Sequence, residues 1–464
     1  MPSSDIERSI EEACGCLVSK VVDSNDPYPC RSLQERMAAE HVPGVSIAVI
    51  HGGVIAWARG FGVARPGGEP VTAETMFQAG SISKPVAAMA ALRVVEQGGL
   101  SLDADVNQAL ISWKIPASTA APSAVVTLRE LLTHTAGLSV HGFPGYSAGV
   151  PAPTLVQVLD GASPANTAAV RLEAVPGAQW KYSGGGYTVM QQLLIDVTRR
   201  PFAELLRDTV LVPAGMTRST YQQPLPIELH AGVASPYQAD GSPVPGGAHV
   251  YPELAAAGLW TTPTDLARLV IAIQRGLRGE PSCVLSQEMI RQMLVAGTGG
   301  YGLGWQVGGA PDQPFFAHGG VNEGFESSLA AYQRIGEGVV VMTNAQGGQI
   351  LANEIVRAVA KVHGWPDFRP IVRTSIQVDP AILSAYAGVY ELTPAFSITV
   401  TLEDGRLMAQ GTRQRKAPLF AESNTRFFLK ATDAVLDFVA AETGQALHLI
   451  LHQNGQDMTG VRKP

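Results

Sequence analysis

The chain has 464 residues, of which 46% are hydrophobic and 16% charged, and its net charge at pH 7 is −7. This length and composition predict two or three globular domains and exclude a chain that is disordered throughout. The acidic balance, with no lysine- or arginine-rich run, excludes nucleic acid and anionic membrane as expected partners, and the apolar runs are too short to span a membrane.

The N-terminal segment, residues 1–30, is predicted to be a helical extension, because its apolar residues recur at helical spacing. It lacks the basic start and continuous apolar stretch of a signal peptide. A cytoplasmic location is therefore expected, or a periplasmic one if the chain is a trimmed mature form. Four cysteines are too few for a disulfide framework. All four are expected to be structural thiols: Cys14, Cys16, Cys30 and Cys283.

Residues 44–62 are predicted to form a β-hairpin. Two apolar, β-branched runs flank His51-Gly52-Gly53, which is a turn signal. From about residue 81 to residue 97 the sequence is rich in alanine, leucine and methionine, and two glycines follow, so a helix is expected there. The chain thus begins with a pair of strands that leads into a helix.

A long, mostly helical middle follows, in which Thr127 begins a capping box and Thr262 caps a helix that should reach about residue 274. Three strands are then predicted, over residues 304–307, 327–333 and 338–344, and a last helix over 350–362. Short loops between the late strands favour antiparallel pairing. Together these elements predict one antiparallel sheet flanked by helices, with an inserted helical subdomain.

The character of the sequence changes near Pro370. From about residue 385 to residue 464 short strand patterns recur about every 8 to 12 residues, and no helix is predicted. In residues 398–402 apolar and polar side chains alternate, which is typical of a half-buried strand. This part is predicted to be a separate small antiparallel β-barrel, and the fold class of the whole chain is α+β.

One serine lies in a familiar pattern. Residues 145–149, GYSAG, match the G-x-S-x-G turn that exposes the nucleophile of α/β-hydrolases, which needs a strand before it and a helix after it. Here the flanking residues are rich in proline and predict a loop on both sides. Ser147 is therefore not expected to be the nucleophile.

Ser81 and Lys84 offer a better nucleophile and base. They stand three residues apart at the start of the predicted helix, so their side chains share one face. The free N–H groups and positive dipole at a helix N-terminus suit an anionic intermediate. A lysine one turn away can remove the hydroxyl proton. A capping serine beside a surface lysine would give the same pattern, so the pair alone is weak evidence.

Several further motifs accompany this pair in a fixed order. They are SISK (81–84), LLTHTAGL (131–138), YSG (182–184), GLWTTPTDLARL (258–269), YGLGW (301–305) and HGGVNEGFESSL (318–329). With these motifs, residues 30–365 resemble the serine β-lactamase and penicillin-binding protein family, in particular its class C-like branch of esterases and D-aminopeptidases. The resemblance implies a β-lactamase/transpeptidase-like catalytic domain over residues 31–372.

The resemblance implies roles for individual residues. Ser81 would be the nucleophile that forms an acyl-enzyme, and either Lys84 or Tyr182 would be the base. The backbone N–H groups of Ser81 and Val321 would form the oxyanion hole. His318, which stands where other members have Lys-Thr-Gly or His-x-Gly, would be a further catalytic residue. A further set would contact the substrate: Gly184, Gly319 and Gly320.

Two departures from the family pattern narrow the expected substrates. His318 replaces a lysine that gives β-lactam-directed relatives a permanent positive charge, and histidine is mostly neutral at pH 7. Gly184 replaces an asparagine whose amide would bind an acylamino carbonyl. Both changes favour hydrolysis of small-molecule esters or peptide amides, with D-residues implied by the family, over β-lactams. No cofactor or metal is expected.

Two alternatives remain open. The acyl group could pass to an amine instead of water, as in penicillin-binding-type thioesterases, or the protein could be a penicillin-binding sensor without turnover. The segment 380–464 resembles the lipocalin-like domain that follows the catalytic domain in several relatives. The sequence does not indicate the oligomeric state.

Overall fold

A computed structural model describes residues 3–26, 30–281, 284–394, 396–412, 414, 416–440, 445–453 and 456–463. The α-helices are α1 (Ser3–Gly15), α2 (Leu33–Ala39), α3 (Ser83–Glu96), α4 (Val106–Ala109), α5 (Leu128–Thr133), α6 (Leu155–Asp160), α7 (Gly184–Thr198), α8 (Phe202–Leu206), α9 (Leu254–Ala257), α10 (Pro263–Leu277), α11 (Gln287–Met293), α12 (Gly348–Val362) and α13 (Pro380–Tyr386). The strands are β1 (Val21–Asp23), β2 (Gly44–His51), β3 (Val54–Gly62), β4 (Phe77–Gln78), β5 (Trp260–Thr261), β6 (Gln306–Ala310), β7 (Gln313–Asn322), β8 (Phe325–Tyr332), β9 (Gly338–Thr343), β10 (Ile371–Arg373), β11 (Gly388–Thr393), β12 (Phe396–Glu403), β13 (Arg406–Gly411), β14 (Ala417–Pro418), β15 (Phe420–Ala421), β16 (Arg426–Phe428), β17 (Ala434–Ala440), β18 (Ala446–Gln453) and β19 (Gln456–Arg462).

The chain divides into two compact units. The first consists of Met1–Arg8 and Gln34–Ala352, and the second of Ser9–Leu33 and Asn353–Pro464. Most of the N-terminal segment that the sequence predicts as a separate extension therefore belongs to the same unit as the C-terminal strands. No helix within the described residues is long and apolar enough to cross a membrane.

The first unit contains a six-stranded sheet in the order β3-β2-β9-β8-β7-β6, and every neighbouring pair is antiparallel. This confirms the predicted antiparallel sheet and the hairpin of β2 and β3. The prediction of three late strands was wrong, because four are present and β7 was missed. Pro314 and the glycine pair Gly319-Gly320 interrupt the apolar alternation by which a strand is recognised.

Helix α3 lies in the core of the first unit. Eleven of its 14 residues are buried, and its alanines allow neighbouring elements to approach closely. It is preceded by a tight turn, Gly80–Ile82, that contains Ser81. The capping box of α5 is present as predicted. Helix α10 starts at Pro263 after its cap Thr262, also as predicted, and ends at Leu277.

The second unit contains a nine-stranded antiparallel sheet in the order β14-β13-β12-β11-β19-β18-β17-β16-β15. The two end strands, β14 and β15, are consecutive in the chain and separated only by Leu419, so the sheet forms a nearly closed barrel. This confirms the predicted barrel. Its interior is apolar and includes Tyr390, Phe427 and Phe438. Helix α13 and strand β19 were not predicted.

The N-terminal residues of the second unit make two links that the sequence did not indicate. Strand β1 pairs in parallel with β10, whose residues lie 350 positions later in the chain. Cys16 and Cys30 form a disulfide, so the prediction of four structural thiols was wrong. A bridge between Leu17 and Arg31 holds the two segments side by side, which is why cysteines 14 residues apart meet. Cys14 lies outside the disulfide, and Cys283 lies outside the described residues.

Candidate active site

Ser81 occupies the turn between β4 and α3. The residue before it, Gly80, has φ of +52°, which favours glycine. A Cβ atom at Gly80 would lie 2.5 Å from the backbone nitrogen of Val321 in β7. Only glycine therefore allows the turn to lie against that strand, and this contact brings the backbone of Ser81 close to Val321.

Lys84 lies in the first turn of α3, directly beside the serine. Its Nζ is 3.0 Å from the Oγ of Ser81 and donates a second hydrogen bond, of 2.9 Å, to the carbonyl oxygen of Ala256 in α9. The lysine is only 2% exposed. It forms no ion pair with any residue that the structure describes. Its amine is thus held by two neutral oxygens and directed at the serine hydroxyl.

Tyr182 reaches the same amine through its ring. The Nζ of Lys84 lies 5.0 Å from the centre of the Tyr182 ring, within the range of a cation–π contact. The hydroxyl of Tyr182 forms no hydrogen bond with the described part of the chain. Tyr182 is therefore close enough to influence the lysine, and its hydroxyl remains available to another group.

His134 fixes the segment that carries Tyr182. The centres of the His134 and Tyr182 rings lie 4.2 Å apart. The Nδ1 of His134 accepts a 3.1 Å hydrogen bond from the backbone N–H of Ser183. His134 is buried, and burial, followed by the charge of Lys84, holds its pKa well below the ordinary value. A neutral ring is what this contact requires, because a protonated Nδ1 could not accept the bond.

Strand β7 supplies the opposite side of the site. Strand β6 pairs only with residues 313–317 of β7. One edge of residues 318–322 therefore has no strand partner within the described part of the chain, and it faces the Ser81 turn. The approach is close: a Cβ atom at Gly320 would lie 1.9 Å from the carbonyl oxygen of Ala79. Glycine at 320 therefore sets the distance between the strand and the serine.

His318 is buried, and both of its ring nitrogens have partners. Nδ1 donates to the carbonyl oxygen of Gly319 at 2.6 Å, which leaves Nε2 to accept a 3.1 Å hydrogen bond from the hydroxyl of Tyr301. Burial, followed by the charge of Lys84, lowers the pKa of His318 to about 3. The ring is therefore neutral throughout the physiological pH range.

Ser81, Lys84, Tyr182 and His318 line a cavity of about 800 Å³. Its walls are mostly aromatic and apolar, and the described residues that line it include no carboxylate. The full set is Ser81, Lys84, His141, Gly142, Phe143, Pro144, Trp180, Tyr182, Ala256, Ala257, Tyr301, His318, Gly319, Val321, Asn322 and Gln349. The structure thus brings together the predicted Ser81, Lys84, Tyr182, His318, Gly319 and Val321.

Two predicted substrate-binding residues do not line the cavity. Gly184 is buried at the start of α7, where a Cβ atom would lie 2.9 Å from the ring of Phe143. An asparagine side chain at that position would collide with the loop that contains Phe143. Gly320 packs against Ala79, as described above. Both glycines are present because of close packing.

Sequence reasoning assigned no role to several residues that the cavity contains. Tyr301 and Asn322 lie in two of the sequence motifs, YGLGW and HGGVNEGFESSL, so a signal was present for both. His134, whose ring packs against that of Tyr182, lies in a third motif, LLTHTAGL. No comparable signal marks Trp180. The indole of Trp180 lies against Gly299, where a Cβ atom would be 2.5 Å from the ring, and its centre is 5.6 Å from that of Tyr301. This stack forms one wall of the cavity.

A buried carboxyl group that has no hydrogen-bond partner among the described residues lies next to the site. Glu253 immediately precedes α9, whose Ala256 binds Lys84, and it is fully buried. Neither of its carboxyl oxygens forms a hydrogen bond with the described residues. Burial raises the pKa of Glu253 to about 7.

Glu253→Gln is expected to remove one part of the pH dependence of stability. In the unfolded chain this carboxyl ionises near pH 4.5, but in the folded protein it stays protonated until about pH 7. Its contribution is therefore fully present below pH 4.5 and is lost as the pH rises to 7, by about 3 kcal/mol. Urea unfolding of both proteins at intervals from pH 4 to 8 measures the difference.

Taking the difference between the two proteins cancels other titrating groups, among them His318, whose lowered pKa destabilises the fold as the pH falls below 6.5. The variant should gain stability relative to the parent between pH 4.5 and 7. A difference that stays constant over this range would show that Glu253 ionises normally in the folded protein.

The sequence matches the model of the Beta-lactamase family over residues 31–362. That span is more than half of the chain. The chain belongs to the beta-lactamase family. With an esterase among its relatives, this membership is consistent with a serine hydrolase. Residues 372–462 match a domain of unknown function, DUF3471, so the likeness of the barrel to lipocalins stays a prediction.

This beta-lactamase family member has relatives with different names. It is 24% identical to penicillin-binding protein 4* of Bacillus subtilis over 93% of this chain and 98% of that protein. It is 28% identical to the esterase EstB of Burkholderia gladioli over 60% of this chain and 76% of that one.

Solved structures agree in fold. The octameric penicillin-binding protein homologue from Pyrococcus abyssi has a TM-score of 0.64 at 22% identity and covers 99% of this chain and 100% of its own. The D-amino acid amidase from Ochrobactrum anthropi has a TM-score of 0.59 at 19% identity, with 78% and 98% covered.

Proposed function

We propose that the protein hydrolyses esters with uncharged acyl groups through an acyl-enzyme on Ser81. The observation that carries the proposal is the 3.0 Å hydrogen bond between the Nζ of Lys84 and the Oγ of Ser81 at the wall of an aromatic cavity. A nucleophile within hydrogen-bond reach of a base, which is itself held by a third group, is the arrangement that activates serine. Here the third group is the carbonyl of Ala256.

Lys84 takes the serine proton in this scheme. As the Oγ of Ser81 bonds to the substrate carbonyl carbon, the proton passes to Nζ, and the negative charge moves to the carbonyl oxygen. Tyr182 is the second candidate for the base. Because its hydroxyl forms no hydrogen bond with the described residues, we assign it to the leaving group, to which it donates a proton as the C–O bond breaks.

The backbone N–H groups of Ser81 and Val321 stabilise the oxyanion. Their proximity follows from the contact of Gly80 with the nitrogen of Val321. Such donors, fixed before the reaction, lower the barrier because they need no reorganisation when charge develops. Water then attacks the acyl-enzyme: the Tyr182 oxygen takes a proton from the water, and the Oγ of Ser81 leaves with the proton that Lys84 holds, so all three side chains return to their starting state.

The side chains that line the cavity favour uncharged substrates over charged ones. Penicillins and cephalosporins carry a carboxylate, but His318 is neutral, and both of its nitrogens are engaged. D-Aminoacyl amides carry an ammonium group, but no carboxylate is found among the described residues of the cavity. An ester with an apolar acyl group needs neither partner and can lie against Trp180 and Tyr301.

p-Nitrophenyl butyrate is expected to be hydrolysed with a kcat/KM at least about tenfold above that for nitrocefin. The carboxylate of nitrocefin lacks one charge-assisted hydrogen bond in this cavity, and such a bond contributes about 1.5 to 3 kcal/mol. D-Alanine p-nitroanilide should be slower than the ester for the corresponding reason. Initial rates with the three substrates test the proposal. A nitrocefin kcat/KM above that of the ester would contradict it.

Intact-mass analysis during the same reactions separates the alternatives. A transient acyl adduct followed by free acid is expected for hydrolysis. An adduct released only when an amine is added would identify an acyltransferase. A permanent penicillin adduct with no ester turnover would identify a sensor. The oligomeric state can be measured on the same samples.

A further inference from the structure

The turn at residues 145–149 contains a second serine beside a histidine. Tyr146 and Val250 exchange two backbone hydrogen bonds, of 2.9 and 2.8 Å, and this bridge brings Ser147 next to His249. The Oγ of Ser147 lies 3.1 Å from the Nε2 of His249. Both side chains are half-buried, so solvent reaches the pair.

A third group orients the histidine. Its Nδ1 is 2.9 Å from the carbonyl oxygen of Pro144. A carbonyl can only accept, so Nδ1 carries the hydrogen, and Nε2 presents its lone pair to the hydroxyl of Ser147. A serine, a base in the correct tautomer and a group that holds the base are the parts of an activated nucleophile.

The local backbone is built to hold this arrangement. Gly145 has φ of +72°, and a Cβ atom there would lie 2.5 Å from the ring of Tyr251 and 2.9 Å from the Cβ of His249. Glycine is therefore required for the turn to lie against residues 249–251. The carbonyl oxygen of His249 accepts a 2.7 Å hydrogen bond from Gln78, which is 1% exposed. The backbone of the histidine is thus fixed from the core.

Donors for an oxyanion are available in the same turn. The backbone N–H groups of Ala148 and Gly149 form no hydrogen bond with any residue that the structure describes, and both residues are exposed. An acyl oxygen can approach them from solvent. The pair of Ser147 and His249 differs from the Ser81 site because its base is an imidazole. It also lies on a separate turn, whose Pro144 lines the cavity of the Ser81 site.

We propose that Ser147 and His249 form a second acyl-accepting site, for small activated esters that reach it from solvent. The Oγ of Ser147 bonds to the ester carbonyl carbon, and its proton passes to the Nε2 of His249. The bond from that carbon to the aryloxide oxygen then breaks, and the aryloxide leaves with the proton from His249. The products are an O-acylated Ser147 and a free phenol, and no oxidant or cofactor is needed.

The test uses full-length Ser81→Ala protein and p-nitrophenyl acetate, so that the first site is silent. We expect release of about one equivalent of nitrophenol, and peptide mapping by mass spectrometry should place the acetyl group on Ser147. The double variant Ser81→Ala/Ser147→Ala should lose this release. Ser81→Ala/His249→Gln should acetylate Ser147 at least about 100-fold more slowly, the usual contribution of a general base.

Ser242 provides the matched control. It is a half-buried serine in a nearby turn that donates a 2.6 Å hydrogen bond to Asp240 and has no histidine partner. Its peptide should remain unmodified, and Ser81→Ala/Ser242→Ala should behave like Ser81→Ala. Acetylation of lysines without Ser147, equal labelling of Ser147 and Ser242, or an unchanged rate in the His249→Gln variant would each overturn the proposal.

Discussion

Replacing Ser81 by alanine is expected to lower kcat/KM for p-nitrophenyl butyrate by at least about three orders of magnitude. The Oγ of Ser81 is the protein atom that the proposed mechanism bonds to the acyl carbon. Among the described residues, Lys84 has no other serine within hydrogen-bond reach. Steady-state nitrophenol release by the purified variant measures the effect. Circular dichroism checks that the variant is folded.

Ser147→Ala is the comparison. It should retain most of the steady-state turnover, because Ser147 lies on a separate turn and its base is His249. If Ser147→Ala were the inactive protein and Ser81→Ala the active one, the nucleophile would be the serine of the G-x-S-x-G pattern, and the mechanism proposed for Lys84 would be wrong.

Gly320→Ala is expected to lower kcat by about 10² to 10³, the effect of losing one oxyanion-hole donor. The added Cβ would lie 1.9 Å from the carbonyl oxygen of Ala79. Strand β7 would have to move away from the Ser81 turn and carry the N–H of Val321 with it. Because the substrate pocket itself is not filled, KM should change much less than kcat.

Gly319→Ala is the matched control on the same strand. Its Cβ would be 3.4 Å from the nearest atom, the Oε1 of Gln349 at the end of a flexible side chain. We expect a kcat within about threefold of the parent. If the two alanine variants had the same kcat, the contact of Gly320 with Ala79 would not control the reaction.

The features predicted correctly from the sequence depend on residues close together in the chain. Ser81 and Lys84 are one helical turn apart, and the capping residues Thr127 and Thr262 act within three residues of themselves. Local spacing fixes such contacts before any tertiary structure forms. The hairpin of β2 and β3 was found for the same reason, since its turn joins adjacent strands.

The features missed depend on contacts between distant segments. The hydrogen bond between Tyr301 and His318 depends on how β7 enters the sheet, and β7 itself lacks the alternation of a typical strand. The pair of Ser147 and His249 joins residues 102 positions apart. For Gly184, the sequence suggested a missing substrate contact, but the structure gives a packing reason that depends on Phe143. Rules based on residue spacing do not predict these contacts between distant segments.

The parallel pairing of β1 with β10 bears on how the protein is made. Val21 lies opposite Ile371, so β1 leaves the ribosome about 350 residues before its partner strand does. At about 5 to 20 residues per second, this delay amounts to tens of seconds. The six-stranded sheet of the first unit has all of its strands once β9 has been synthesised, which is before β10 is made. Strand β1 therefore lacks its partner β10, and is accessible to solvent and chaperones, while most of the enzyme is synthesised and folds.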